Sequence, residues 1–474
     1  METRLRNVGW VSIIATALPA LTLLIVSGGE GRITEALADS AQLNRQVTVT
    51  VYLPLVARDY DPTYVSPFGI VMYGNVDGAN GAQKMQEAGS QWVTTLLDWS
   101  PIEPTQGGPR DWSSFDTKAQ NAKAAGMDVF VLFTSNPSWA AALPNGPVTD
   151  TQNLVDFVTA MAERYDCDGA DDAPGSPCVH YWSFYAEPDR HSRWGDNGMG
   201  YAAMLSQVSP AIHAANPQAQ VLIGGLAYDN FEEDGGPFVR SFLTDTLAAL
   251  NGYPGGARAY IDAVAFHFYP ISGGRWPTIR EKALEVRGIM ERHGVGDLPL
   301  LSPEMGYWSA EEAGSSESRQ ARWLVQTYVR GLSVGLQHMS WYAVFDLIDG
   351  IGTTEEHGLF WDQDLNKPKL AYFAYDTMTH ELAGARYYRS LQVANAEAYV
   401  FLMPGGRHKK VVWATASKAN VAFPYPCLRR VDTLGNAQAA IYDGDLTWDQ
   451  DQATNSQIVL ETQQDTPLYV EPCH

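Results

Sequence analysis

The chain has 474 residues, 45% of them hydrophobic and only 18% charged. This excludes a mostly disordered protein and supplies core for one large domain plus a smaller one. With 32 Lys and Arg against 54 Asp and Glu, the formal charge of −22 argues against nucleic acid as a partner, while 14 Trp and 23 Tyr offer flat rings suited to the apolar faces of sugars.

Arg4 and Arg6 precede an apolar run over 8–26, and Ala36-Leu37-Ala38 follows it. Residues 1–38 therefore read as a signal peptide, or as a signal anchor holding the chain to the membrane through 8–26 if they are not cleaved. Either outcome places the remainder outside the cytoplasm, secreted or on the outer membrane face. Residues 39–65 form an N-terminal strand and linker, the strand lying around Val47–Val56. Four cysteines suit an oxidising compartment. Of their three possible connectivities, the local one, Cys167–Cys178 and Cys427–Cys473, respects the domain division below.

From residue 66 onward, short β-branched or aromatic runs begin near Gly69, Gln91, Met127, Val179, Gln220, Ile261, Asp297 and Gln337. Helical patterns alternate with them over 81–88, 114–125, 152–165, 201–214, 237–250, 278–293, 316–334 and 367–382. Eight such units predict an α/β fold, a closed (β/α)8 TIM barrel over 66–382. An open doubly wound sheet is the competitor, but no glycine-rich phosphate loop follows the first strand. Residues 384–474 carry short alternating strands without helix-length segments, which predicts a small all-β, sandwich-like domain.

In the loop before the fourth strand, Asp166, Asp168 and Asp171 flank Gly169 at a spacing like the start of a Ca2+ loop, without the bidentate acid that ends one. The loop is either simply solvated or a structural Ca2+ site on the barrel face opposite the mouth.

Chemistry in such a barrel sits where the strands end. The fourth run ends at Glu187 and the seventh at Glu304, so two carboxylates face each other across the mouth, the equipment of glycosidic bond cleavage. His267 and Tyr269 end the sixth run. Asn136 and Asp98 follow the third and second and are candidates for reaching sugar hydroxyls. Trp139, Trp194, Trp308 and Trp341 lie on loops or strand ends, as core residues or as sugar-stacking rings.

These strand ends together resemble the clan A glycoside hydrolases, in particular family 39-like and family 5-like enzymes, over about 66–382. Glu187-Pro188 matches the clan's Asn-Glu-Pro motif with Ala186 in place of Asn. Glu304-Met-Gly306-Tyr-Trp308 is close to its nucleophile motif, His267-Phe-Tyr269 matches His-x-Tyr, and Trp341 stands where a tryptophan floors the sugar site. The resemblance implies a retaining O-glycoside hydrolase acting on an extracellular oligo- or polysaccharide, with no cofactor required. Glu187 would be the acid/base, its pKa raised by burial. Glu304 would be the nucleophile, kept ionised by the Tyr269 hydroxyl, and His267 would orient the acid/base or bind a hydroxyl. Ala186 removes an amide that would meet the sugar 2-hydroxyl, leaving His267, Asn136 and Asp98 as candidates to compensate. It also sustains the alternative, a catalytically weak carbohydrate-binding or cell-surface barrel.

Overall fold

The computed structural model describes residues 66–473, apart from 271–273, 312–313 and 349–353. The expected signal segment 1–38 and the strand and linker of 39–65 lie outside the described residues. Eight strands, β1 (Phe68–Val71), β2 (Trp92–Asp98), β3 (Asp128–Thr134), β4 (Tyr181–Phe184), β5 (Gln220–Leu226), β6 (Ala263–Phe268), β7 (Leu300–Met305) and β8 (Met339–Trp341), pair in parallel and close β1 onto β8. In β3, Phe130 and Leu132 point inside, where they meet Trp92, Leu222, Ala265 and Leu301. Val129, Val131 and Phe133 point outward into the main core. Both faces of each strand are thus buried, which is why these strands read as unbroken apolar runs.

The helices α1 (Ala82–Glu87), α2 (Ser113–Ala124), α3 (Thr151–Arg164), α4 (Gly198–Ala215), α5 (Phe242–Leu250), α6 (Ile279–Arg292), α7 (Glu317–Ser333) and α8 (Leu370–Glu381) follow the strands in turn. Their starts are encoded locally. The side chains of Asp150, Asn197, Thr278 and Ser316 accept backbone N–H groups of the first turns of α3, α4, α6 and α7, each worth about 1 kcal/mol.

Two strands carry one residue more than their neighbours. Between Ile223 and Leu226, β5 advances three residues while β6 advances two, from Val264 to Phe266. Likewise β7 advances from Leu301 to Glu304 while β6 advances from Ala265 to His267. The extra residues fall at Gly224-Gly225 and Ser302-Pro303. Proline has no N–H to give a ladder, and a bulge is where a sheet tolerates it. A Cβ on Gly225 would overlap the His267 ring, so only glycine fits beneath it.

The C-terminal region holds β9 (Arg386–Ser390), β10 (Ala396–Leu402), β11 (His408–Ala414), β12 (Lys418–Phe423), β13 (Cys427–Asp432), β14 (Ala437–Tyr442), β15 (Ile458–Gln463) and β16 (Leu468–Pro472). Six of them form an antiparallel sheet in the order β9-β10-β11-β16-β13-β14, and β12 pairs with β15 as a separate ribbon. Val412, Leu428, Ile441 and Val470 of the sheet share a core with Val421, Phe423, Ile458 and Leu460 of the ribbon. This domain grips the last barrel helices. Arg330 of α7 forms a fork onto Glu397 (3.0 and 2.6 Å), and Glu381 of α8 pairs with Arg429 (2.7 Å).

Both disulfides have the local pairing, with Cα–Cα distances of 5.0 Å for Cys167–Cys178 and 5.4 Å for Cys427–Cys473. Among the described residues no helix is long and apolar enough to cross a membrane.

The sequence separations of 11 and 46 correspond to loop-closure stabilisation of about 3 and about 4 kcal/mol. Replacing Cys427 and Cys473 by serine is therefore expected to lower the thermal midpoint more than replacing Cys167 and Cys178. Calorimetry on the two double variants checks this; the reverse order would show that local packing outweighs chain entropy.

Candidate active site

The site is assembled around His267. Alternation along β6 sets His267 in line with Ala263 and Ala265, which face the barrel axis. Counting by twos from Leu301, Glu304 would face the helices. The extra residue in β7 turns it inward, opposite His267. There the Tyr73 hydroxyl, just past β1, donates to Oε2 of Glu304, and the Tyr269 hydroxyl donates to Oε1 at 2.8 Å. Two hydroxyl donors favour the ionised carboxylate and fix its plane.

Glu187 reaches the same place by a strained path. Tyr185 and Glu187 have φ of +63° and +44°, a region that costs a non-glycine residue about 1–3 kcal/mol. Hydrogen bonds hold the path: Tyr185 N–H to the Phe133 carbonyl (2.9 Å) and Glu187 N–H to the Gly225 carbonyl (2.8 Å). Buried Asp189 accepts the N–H groups of Ala227 (3.0 Å) and Tyr228 (2.8 Å), tying the loops after β4 and β5 together. His267 Nδ1 then lies 3.5 Å from Glu187 Oε1 and 3.6 Å from Glu304 Oε1. These distances bring one oxygen of each carboxylate to within about 7 Å of the other.

Burial holds His267 below its ordinary pKa although Glu187 pulls the other way. The ring is therefore neutral near pH 7, and we assign its proton to Nδ1, the nitrogen facing both carboxylates. Glu187 departs from expectation. Burial does push it up, but the His267 hydrogen bond and the charges of His267, Arg193 and Arg190 outweigh burial and leave the carboxyl below its usual range. A neutral His267 loses its charge but keeps its Nδ1–H donor, so that hydrogen bond and the guanidinium groups are what persist near pH 7. Arg193 Nη1 stands 3.6 Å from Glu187 Oε2. Behind the acid, burial pushes Asp189 up to about 7 and Lys282 down to about 8.

The remaining candidates are placed as follows. Trp341 is fully buried, its indole N–H on the His357 carbonyl (2.9 Å) and its ring against Trp323 of α7, so it belongs to the core and cannot floor a sugar site. The next residue, Tyr342, lines the mouth instead, in a cleft with Tyr73, Asn75, Asn80 and Gln363. Trp194 is likewise core, packed on Tyr185 and Tyr201. Trp308 is half-buried and stacks on Tyr307, and Trp139 donates to the Glu103 carbonyl (3.0 Å). Asn136 is buried with its amide engaged by Tyr185 and Gly146, and Asp98 accepts from Ser135 (2.6 Å). Both atoms of the Asn136 amide are thus taken, which leaves it nothing to offer beside Ala186. That position is met by Arg193, whose Nη1 donates to the Ala186 carbonyl. In the acidic loop the carboxylates that converge are those of Asp166, Asp168 and Asp172; Asp171 is not among them.

Sequence reading missed Tyr73, Tyr342 and Arg193. Tyr73 and Tyr342 directly follow strands one and eight and were available on that signal. Arg193 lies within the loop after β4 and carries none.

No family model matches the sequence, and no curated protein matches it. Solved structures do match in fold, and they are clan A glycoside hydrolases. A family 39 glycoside hydrolase from the gut symbiont Bacteroides cellulosilyticus superposes with a TM-score of 0.63 at 17% identity, covering 86% of this chain and 81% of that one. A glucosidase from Croceicoccus marinus gives 0.62 at 14% identity, over 86% and 95%. A family 30 endoxylanase from Clostridium papyrosolvens gives 0.57 at 11% identity, over 86% and 97%. At these identities the likeness is one of fold: a (β/α)8 barrel with an appended β domain.

If Arg193 holds Glu187 ionised, Arg193→Met should raise the Glu187 pKa. Carboxyl 13C NMR titration of the two proteins checks this, and an unmoved or lowered value would show that Arg193 does not govern Glu187.

Proposed function

We propose that the protein is a retaining O-glycoside hydrolase acting on an extracellular oligo- or polysaccharide. One observation carries the reading: two carboxylates approach a single neutral imidazole nitrogen, one gripped by two tyrosine hydroxyls and the other beside the Arg193 guanidinium. Glu304 Oε attacks the anomeric carbon while Glu187 passes its proton to the departing glycosidic oxygen. Glu187, now a carboxylate, takes a proton from water, which attacks the same carbon and frees Glu304. His267 offers its Nδ1–H between the two carboxylates and tempers their repulsion. The steps balance without a cofactor.

The pairing of Glu187 with Arg193, together with Ala186, supports a second reading, a carbohydrate-binding barrel with little turnover. A mechanism-based 2-fluoroglycoside panel separates them. On the first reading Glu304 is esterified, as peptide mass spectrometry would show; on the second it stays free. Glu304→Gln should cost turnover on the order of 10^6-fold, the scale on which loss of a covalent nucleophile acts, with an unchanged thermal midpoint. Retention of most activity would move the nucleophile elsewhere.

Two disulfides accord with an oxidising compartment, and the expected signal or anchor in 1–38 supports a secreted or outer-face location. For the acidic loop we propose a structural Ca2+ site. The expected outcome is a thermal midpoint raised by Ca2+ and lowered by chelator, and a midpoint indifferent to both removes the ion.

A further inference from the structure

The group beside Glu187 poses a chemical problem. A general acid must be protonated before it can act, yet the nearest cation favours its carboxylate. Arg193 uses one nitrogen, Nη1, for both the Ala186 carbonyl and the approach to Glu187. Among the described residues its Nε and Nη2 have no partner, and the side chain is 24% exposed at the mouth. Half of the guanidinium fork is therefore left without a protein partner in a partly exposed side chain.

Among the described residues Glu187 is the one anion with which Arg193 forms an ion pair. Arg190 has its guanidinium over the Phe238 ring and adds to the positive field. Asp189 is turned to the N–H groups of Ala227 and Tyr228, and Lys282 lies deep beneath, bonded to the Ala227 carbonyl. His267 is neutral, and Glu304 is held by Tyr73 and Tyr269. Glu187 is the remaining anion in reach, and pairing with it opposes the first proton transfer. Position 186 is alanine, whose side chain offers no polar group to engage Arg193; the contact there is through its carbonyl.

We propose that Arg193 binds a carboxylate on the substrate, so that the sugar lying against Glu187 is a uronic acid or carries one. The open Nε and Nη2 edge matches a planar carboxylate bidentately. Once engaged, the guanidinium charge is met by the substrate and Glu187 is released to take up its proton. The acid is thus armed by the substrate that needs it. This rests on the glycosidase reading of the site.

The test uses uronic-acid-bearing polysaccharides, each paired with its own carboxyl-reduced form, which keeps linkages and changes only charge. Binding is measured by calorimetry on Glu304→Gln and turnover on the unmodified enzyme. The native form is expected to bind at least tenfold tighter and to be cleaved at least tenfold faster than its reduced partner. Arg193→Met should collapse both ratios to near one, and Arg193→Lys, which keeps charge but not the fork, should fall between. Ratios near one in the unmodified site, ratios untouched by Arg193→Met, or no binding by any acidic member would each overturn the proposal. Fluoroglycoside labelling of Glu304 reports separately on the glycosidase reading. Labelling without charge preference sinks only the carboxylate, and charge-selective binding without labelling or turnover sinks only the enzyme.

Discussion

Everything at the mouth depends on a mismatch of one residue on either side of β6. Strands β5 and β7 each carry an extra residue where they flank it, and β6 does not. The bulge in β7 rotates Glu304 from the helix side to the axis. The bulge in β5 brings Gly225 under His267, where a side chain would strike the ring, and presents the Gly225 carbonyl to the N–H of Glu187. Regular pleating would have left an inert barrel top with its carboxylates apart. Bulges of this kind re-aim side chains at the rims of barrels, at the expense of local pairing.

That geometry sets up an electrostatic division of labour between chemically identical carboxyls. Glu304 is surrounded by neutral hydroxyl donors, which stabilise its charge without adding one. Glu187 instead looks onto guanidinium, on a backbone segment held in an unfavourable conformation by Asp189 and its backbone partners. The imidazole between them is kept uncharged by burial, so it separates the two anions without tipping the balance toward either. In a chain with a net charge of −22, the positive field at Glu187 is a local one, made by Arg193 with Arg190.

The eight strands and their helices were legible because each strand is buried on both faces, the helical segments alternate with them, and four of the helices open on a capping side chain. The two glutamates, His267 and Tyr269 were legible for a related reason: each ends an apolar run, and runs of a barrel converge. Trp341 misled because strand phase was not followed. Ser340 points into the barrel to Thr94, so Trp341 must point out to Trp323 and Tyr342 back in. Tyr73 meets Glu304 across 231 residues of sequence, a contact that only closure of β1 onto β8 creates. Arg193 lies in an irregular loop whose path is set by tertiary hydrogen bonds, which no periodicity reports. The low position of Glu187 on the pKa scale was missed with it.

The order of the C-terminal sheet has a bearing on how the chain must be made. Its last strand, β16, sits between β11 and β13 rather than at an edge. Until residues 468–472 arrive, the sheet is two separate hairpin-like pieces with exposed inner edges, and its grip on α7 and α8 has nothing continuous behind it. Assembly of this domain is therefore a late event that closes inward from both flanks, as a zip with its slider in the middle.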